Sequence, residues 1–191
     1  MKAKSSFAAL AIAAGLSLGA VIVAAPVMAA MTVMVGGAPM YPTKNIVENA
    51  VNSKDHTTLV AAVKAAGLVG TLEGPGPFTV FAPTNEAFAQ LPKGTVETLL
   101  KPENKDKLTA VLTYHVVAGR MTAQDLGAKV DEMGGKAMLT TVQGEPLTVM
   151  RSGKMHLTIT DAKGGTAMIT IPDVMQSNGV IHVVNKVLIP G

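Results

Sequence analysis

Hydrophobic positions recur at helical spacing through the first half of the chain, from about residue 43 onward. This periodicity predicts a series of short amphipathic helices with one apolar face each. Their apolar positions are, helix by helix, Ile46, Val47 and Ala50; Leu59, Val60 and Val63; Val96, Leu99 and Leu100; and Leu108, Val111 and Leu112. The second of these helices is predicted to be capped by Asp55 or Thr57 and to end at Gly67. A further helix is predicted to begin after Thr84, a good N-cap residue, and to end at Pro92. Between Gly67 and Thr84, the run FTVFA (78–82) favours a β-strand.

The pattern changes after Gly119, where short alternating or β-branched runs are separated by Gly or Asp. The runs are KVDEMGG (129–135), KAMLTTVQG (136–144), EPLTVMRSG (145–153), MHLTITDAKGG (155–165), TAMITIPD (166–173) and NGVIHVVNKVLIP (178–190). Turn signals at this spacing predict antiparallel strands. Helices in the first half and strands in the second predict a single α+β domain over residues 43–191. Residues 31–42 have no period and are predicted to form a flexible leader.

The first thirty residues have the pattern of a secretory signal peptide. Lys2 and Lys4 precede an apolar run, and small residues close the segment. This order predicts cleavage after Ala29 or Ala30, and therefore a secreted or periplasmic protein. The alternative is an uncleaved N-terminal membrane anchor, because an apolar run of this length borders on what spans a bilayer.

Charge and aromatic content exclude nucleic acid as a partner. The chain has 16 Lys and Arg against 13 Asp and Glu, and two of the lysines leave with the signal peptide. The exported chain is therefore nearly neutral and lacks the basic surface that binds phosphate backbones. It has no Trp, and few aromatic residues that could stack on bases. There is also no cysteine, which excludes thiol catalysis and disulfides, so stability depends on a hydrophobic core.

Motifs for enzymatic chemistry do not occur in the sequence. Serine-hydrolase, zinc-protease, P-loop and dinucleotide-binding signatures do not match any part of the chain. The four histidines, His56, His115, His156 and His182, are separated from one another, and the twelve methionines show no ligand spacing. Methionine is then best explained as core filler. We therefore predict no enzyme activity, no cofactor and no metal site.

Three motifs across the exported chain resemble the fasciclin domain. They are TVFAPTNEAF (79–88), TYHV (113–116) and NGVIHVVNKVLIP (178–190), and the similarity extends from about Asn45 to Pro190. The resemblance implies a wedge of two β-sheets with helices of the N-terminal half packed against it. It also implies a non-enzymatic role in cell adhesion or in contact with an extracellular or envelope matrix. Structural motif positions carried over from the family are Thr79, Phe81, Pro83, Thr84, Asn85, Phe88, Asn178, Gly179, Ile181 and Val183.

The Tyr-His pair of the family corresponds to Tyr114 and His115, where the resemblance implies a determinant of packing and adhesion. A buried neutral imidazole needs one hydrogen-bond donor and one acceptor. We expect Asn85 or a backbone carbonyl to supply one of these partners. His115 is therefore predicted to be structural.

An Asp-Ile pair contacts integrins in some animal members of the family, and the matching positions here are Asp173 and Val174. Two interpretations are open for this pair. Asp173 and Val174 form a partner-recognition site, or Asp173 caps a turn and Val174 fills the core.

Two hypotheses about function follow from the sequence. The first is an exported adhesion module of the fasciclin type that binds a protein or matrix partner and remains outside the membrane after cleavage. The alternative is a periplasmic carrier of a small ligand or metal that uses His115, His156 and Met side chains. A pocket into which these side chains converge would favour the carrier.

Overall fold

The computed structural model describes residues 32–153 and 156–191. The described residues form nine strands, β1 to β9, which are Val33–Val35, Ala38–Met40, Phe78–Pro83, Val116–Ala118, Lys136–Thr140, Pro146–Ser152, His156–Thr160, Thr166–Gln176 and Gly179–Val184. They also form seven α-helices, α1 to α7, which are Ile46–Ala50, Thr57–Ala66, Val69–Glu73, Asn85–Ala89, Thr95–Leu99, Lys105–Tyr114 and Ala123–Glu132. The predicted signal peptide lies outside the described residues.

Local signals in the sequence account for several of the helix ends. Asn45 accepts a hydrogen bond from the backbone N–H of Glu48, and the Glu48 side chain accepts one in return, so helix α1 starts with a capping box. Helix α2 ends at Gly67, whose φ of 74° lies in the left-handed region that glycine adopts without a steric penalty. Thr84 caps helix α4 by accepting from the N–H of Ala87. The helices predicted over these residues are confirmed. The predicted cap of helix α2 is wrong, because His56 precedes its first residue and no side chain of Asp55 or Thr57 caps it.

Strands β3 to β9 form one sheet in the order β4-β3-β9-β8-β7-β6-β5, in which β3 and β9 are parallel and the other neighbours antiparallel. Its two edge strands approach each other through a bridge between Val117 and Thr141, so the sheet wraps until it is nearly closed. The short strands β1 and β2 form a second, two-stranded sheet. The α+β class with two sheets is confirmed.

Two large apolar clusters lie on either side of the main sheet's long strands. The first joins the β1–β2 hairpin and helices α1, α2, α3 and α6 to strands β3 and β9. The second lies inside the half of the sheet formed by β5 to β8 and is covered by helix α7. Alternation of buried and exposed residues along β5 to β8 matches the two-residue period read from the sequence.

Two predictions about elements are wrong. Residues 31–42 were expected to form a flexible leader, but residues 33–40 form the β1–β2 hairpin, in which Val35 and Met40 are buried. The run 129–135 was expected to be a strand, but residues 129–132 are the last turn of helix α7. The capping box between Thr122 and Asp125 starts this helix, and Leu126 and Val130 place its buried face on the sheet.

Candidate functional site

Tyr114, the last residue of helix α6, lies entirely inside the protein. Its hydroxyl donates to the carbonyl of Pro146 at 3.0 Å and accepts from the backbone N–H of Ala162 at 2.9 Å. Pro146 is the first residue of strand β6, and Ala162 lies just after the end of strand β7, so the ring joins helix α6 to the sheet. Burial raises the pKa of this phenol and keeps it neutral.

His115 follows Tyr114 and is also buried, with 2% of its surface exposed. Its Nδ1 lies 2.7 Å from the carbonyl oxygen of Val111, and its Nε2 accepts from the backbone N–H of Leu188 at 3.0 Å. Because Leu188 can only donate there, Nε2 carries no proton, and Nδ1–H donates to the carbonyl. Burial lowers the pKa of His115 to about 4, so the ring is neutral at physiological pH.

Asn85 is not the partner of His115, although that was one of the two partners expected. It accepts from the backbone N–H of Thr58 at 3.0 Å and donates to the carbonyl of Lys54 at 2.8 Å. The side chain therefore fixes the start of helix α2 rather than the histidine. The other expected partner, a backbone carbonyl, is the one that the structure shows.

The remaining residues of the first motif lie in the interior or at element ends. Thr79 is buried; its hydroxyl donates to the carbonyl of Gly119 at 2.6 Å and accepts from the N–H of Met121 at 2.9 Å. Phe81 is buried and stacks on His182, with 5.7 Å between the ring centres. Pro83 ends strand β3, whereas Phe88 packs in a third small cluster with Val187.

The last motif places Asn178 at the junction of strand β9 with helices α1 and α3. Its amide oxygen accepts from the N–H of Ile46 at 3.1 Å, and its amide nitrogen donates to the carbonyls of Leu72 and Gly74 at 2.8 and 2.9 Å. Gly179 is required because a Cβ there would collide with the carbonyl oxygen of Phe78. Ile181 and Val183 are buried in the first apolar cluster.

The structure separates the roles of Asp173 and Val174. Val174 is buried in the first apolar cluster, with 1% of its surface exposed. Asp173 is half-buried and adopts a left-handed backbone, with φ at 57°, where strand β8 bulges against β9. Its carboxylate accepts from the N–H of Ala123, the first residue of helix α7, at 2.7 Å. Its own N–H donates to Nδ1 of His182 at 3.2 Å.

The surface around this bulge, which we call the bulge surface, consists of Arg120, Pro172, Asp173 and Met175. Arg120 and Pro172 are exposed, and Met175 is half-buried. The Arg120 guanidinium donates to the carbonyls of Gln176 and Ser177 at 3.0 and 3.2 Å, so it is fixed beside the end of strand β8. Of the residues predicted to bind a partner, only Asp173 contributes to this surface.

His115 and His156 do not converge on a common pocket. His115 uses both ring nitrogens for backbone groups, whereas His156 is exposed at the start of strand β7. Within residues 32–153 and 156–191, no group of three or more His, Asp and Glu side chains is placed to hold a metal ion. The structure therefore does not show the shared pocket of His115 and His156 that would favour a carrier.

A buried pair that the sequence analysis missed is Ser53 and His56. Ser53 Oγ lies 2.9 Å from Nδ1 of His56, and the two residues are 2% and 3% exposed. Both line an apolar cavity of about 80 Å³. The Ser-x-x-His spacing just before helix α2 was the available signal, but the cavity depends on contacts with distant strands and cannot be read from it.

Comparison with known proteins gives consistent results. The family model described as the fasciclin domain matches residues 54–190. The chain is 49% identical over 146 residues to Protein sll1483 of Synechocystis, covering 76% of this chain and 73% of that protein. It is 33% identical over 211 residues to Immunogenic protein MPB70 of Mycobacterium bovis, covering 100% and 99% of the two chains. It is 32% identical over 136 residues to human Periostin, covering 71% of this chain but 15% of that protein.

A solved structure confirms the fold. A FAS1 domain pair from the insect cell adhesion molecule Fasciclin I superposes with a TM-score of 0.66 at 18% identity, over 76% of this chain and 50% of that chain.

The part of the chain that the structure describes contains no helix long and apolar enough to span a bilayer.

Proposed function

Since this chain belongs to the fasciclin-domain family, we propose that it is an exported, non-enzymatic adhesion module that binds a protein or matrix partner. The name of the superposed insect protein, a cell adhesion molecule, supports this class of function. The signal-like first thirty residues support export to the periplasm or beyond.

The observation that carries the proposal is the strained bulge at Asp173. A residue other than glycine in the left-handed region costs free energy, and such outliers persist where the surroundings enforce them. Here the enforcing contacts are the bonds of Asp173 to Ala123 and to the buried His182. They hold a half-buried carboxylate beside exposed Pro172 and half-buried Met175. Methionine is enriched at protein interfaces, and polar groups such as this carboxylate lie at their rim.

Tyr114, His115 and Val174 lie in the interior of the domain. Their side chains are buried, so they do not touch a partner that docks on the folded domain. Substitutions there would act on adhesion through the stability and shape of the domain. Contact itself is assigned to the bulge surface.

Substitution Asp173→Asn tests the proposal because it removes charge with little change in shape. Asparagine tolerates the left-handed backbone and keeps an oxygen that can accept from Ala123. The exported domain, immobilised and exposed to envelope extract of its host, is expected to retain a partner that the variant retains at least about tenfold less, the usual effect of one lost charged contact.

The matched control is Asp106→Asn, which removes an exposed carboxylate from helix α6, away from the bulge. It is expected to retain the partner at the wild-type level. Equal recovery by all three proteins would show that the bulge surface is not the binding site. Failure of the wild type to retain any envelope component would count against the adhesion function itself.

A further inference from the structure

An apolar cavity of about 80 Å³ lies between the β1–β2 hairpin, helices α1 to α3 and the strands β3 and β9. Its wall is almost wholly hydrocarbon, with Val35, Met40, Ile46, Val63, Leu72 and Ile181 among the lining residues. A single water needs roughly 10–15 Å³, and benzene enters an apolar cavity of about 150 Å³. The space therefore exceeds a packing defect of one water and accommodates the end of a short chain.

His56 is a polar residue among those that line this cavity. The residue is 3% exposed, and its Nε2 has no hydrogen-bond partner among the described residues 32–153 and 156–191. Buried polar atoms without partners are rare and costly in folded proteins. Because His56 lines the cavity, an acceptor on a guest molecule is the partner from outside the chain that we consider for this nitrogen.

The protonation of the ring determines what kind of partner fits. The Ser53 hydroxyl is the group beside Nδ1, and donation from the hydroxyl to Nδ1 places the ring proton on Nε2. Burial lowers the pKa of His56, so the ring stays neutral with a single N–H. The backbone of Ala82 is near enough to oppose part of this shift, but it does not form a hydrogen bond of acceptable geometry. The unpaired atom is thus a donor, and its missing partner is an acceptor.

The cavity also has a route to solvent. Lys64 on helix α2 and Thr71 on helix α3 line it and are both exposed, so it reaches the surface between these helices. Met40, a flexible side chain on its wall, allows the space to adapt to a guest. A molecule can enter with its polar group first and leave the rest of its chain at the rim.

We propose that this cavity is a binding site for the end of a short, neutral hydrocarbon chain whose carbonyl oxygen accepts a hydrogen bond from His56 Nε2. A carboxylate is disfavoured because an unpaired charge is costly against an apolar wall. An alcohol brings a second donor that the wall leaves unpaired, whereas a ketone brings an acceptor only. The site is separate from the bulge surface and adds a ligand-binding activity to the proposed adhesion function.

The test compares 2-hexanone with 2-hexanol in the wild-type protein by two-dimensional ¹H–¹⁵N NMR. The ketone is expected to shift the amide signals of cavity residues such as Val63, Leu72 and Ile181, with about tenfold higher affinity than the alcohol, as one stranded donor implies. Equal affinities, or no shifts in these signals with either compound, would overturn the proposal. The latter would mean that the ring simply moves onto the Ala82 carbonyl and the cavity stays empty.

Two variants test the role of the ring itself. His56→Phe keeps the ring volume but removes the N–H, and it should abolish the preference for the ketone. His156→Phe, the same change at the exposed histidine of strand β7, should keep it. A ketone preference that survives His56→Phe would exclude His56 as the donor. Because the two ligands are first compared in the wild type, the proposal stays testable if the variant does not fold.

Discussion

The histidine in the apolar run VLTYHVVAG joins two backbone segments, because both of its ring nitrogens bond to backbone groups. His115 connects the carbonyl of Val111 in helix α6 to the N–H of Leu188 near the C-terminus, 73 positions away. The carbonyl could be anticipated, because it lies one helical turn back in the sequence. The Leu188 partner could not, because only the tertiary fold brings it to the ring.

Replacement His115→Ala is expected to destabilise the domain strongly. The stranded, buried N–H of Leu188 alone costs about 1–3 kcal/mol, and the void left by the ring adds to this cost. Urea melts at pH 7.5 should therefore show a clearly lower midpoint. The exposed His156→Ala should stay within about 0.5 kcal/mol of the wild type. An unchanged midpoint for His115→Ala would mean that the ring is not part of the core.

At the scale of elements, the sequence was sufficient where a local signal fixed the end of an element. Helix α2 ends at Gly67 as predicted, whereas its start is fixed by Asn85, which is distant in the sequence. Helix α7 was missed because Val130 and the Gly134-Gly135 pair resemble a strand and turn, although Thr122 and Asp125 are a helix start signal. The near closure of the sheet between Val117 and Thr141 has no local signal and comes from tertiary packing.

The β1–β2 hairpin was missed because its strands have three residues each, too short for an alternating pattern. Its turn was nevertheless encoded in the sequence. Gly36 and Gly37 both have positive φ, 58° and 76°, as a two-residue hairpin turn with the twist of the strands requires. The hairpin then covers the core with Val35 and Met40.

These two glycines give a matched pair for testing the hairpin. A Cβ on Gly37 meets open space, so Gly37→Ala should cost only the left-handed penalty of about 1–2 kcal/mol. A Cβ on Gly36 would lie 2.7 Å from the backbone nitrogen of Asp55 and would also collide with Ser53 Oγ. Gly36→Ala should therefore lower the thermal midpoint distinctly more than Gly37→Ala. Equal losses in calorimetry would show that the hairpin does not pack on residues 53–55 as described.

At the scale of the whole molecule, export and folding are predicted to use separate parts of the chain. Cleavage after Ala29 or Ala30 would leave strand β1, which starts at Val33, intact. N-terminal sequencing of the protein from its native host should therefore give Ala30 or Met31 as the first residue. A start at Met1, with the protein in the membrane fraction, would establish the uncleaved anchor instead.

The stability of the whole domain is predicted to be sensitive to acid, because three buried histidines lie on different elements of the core. Burial lowers the pKa of His56, of His182 and of His115, the last to about 4, whereas the unfolded chain titrates near 6.5. Between these values the unfolded state binds more protons, so the stabilisation is complete above pH 6.5 and is lost as pH falls toward 4. From pH 7 to pH 5, His115 alone should lower the free energy of unfolding by about 2 kcal/mol.

Urea midpoints measured at pH 7.0, 6.0 and 5.0 test this prediction in a range where most carboxylates stay ionised. The midpoint should fall steadily across the series, and His156→Gln should show the same fall because that ring is exposed. The direction of the midpoint change distinguishes buried neutral histidines from salt-bridged ones. A histidine held in a salt bridge has a raised pKa in the folded state and loses its stabilising effect as pH rises. A midpoint that is constant or higher at pH 5.0 would mean that the three rings are not neutral members of the core.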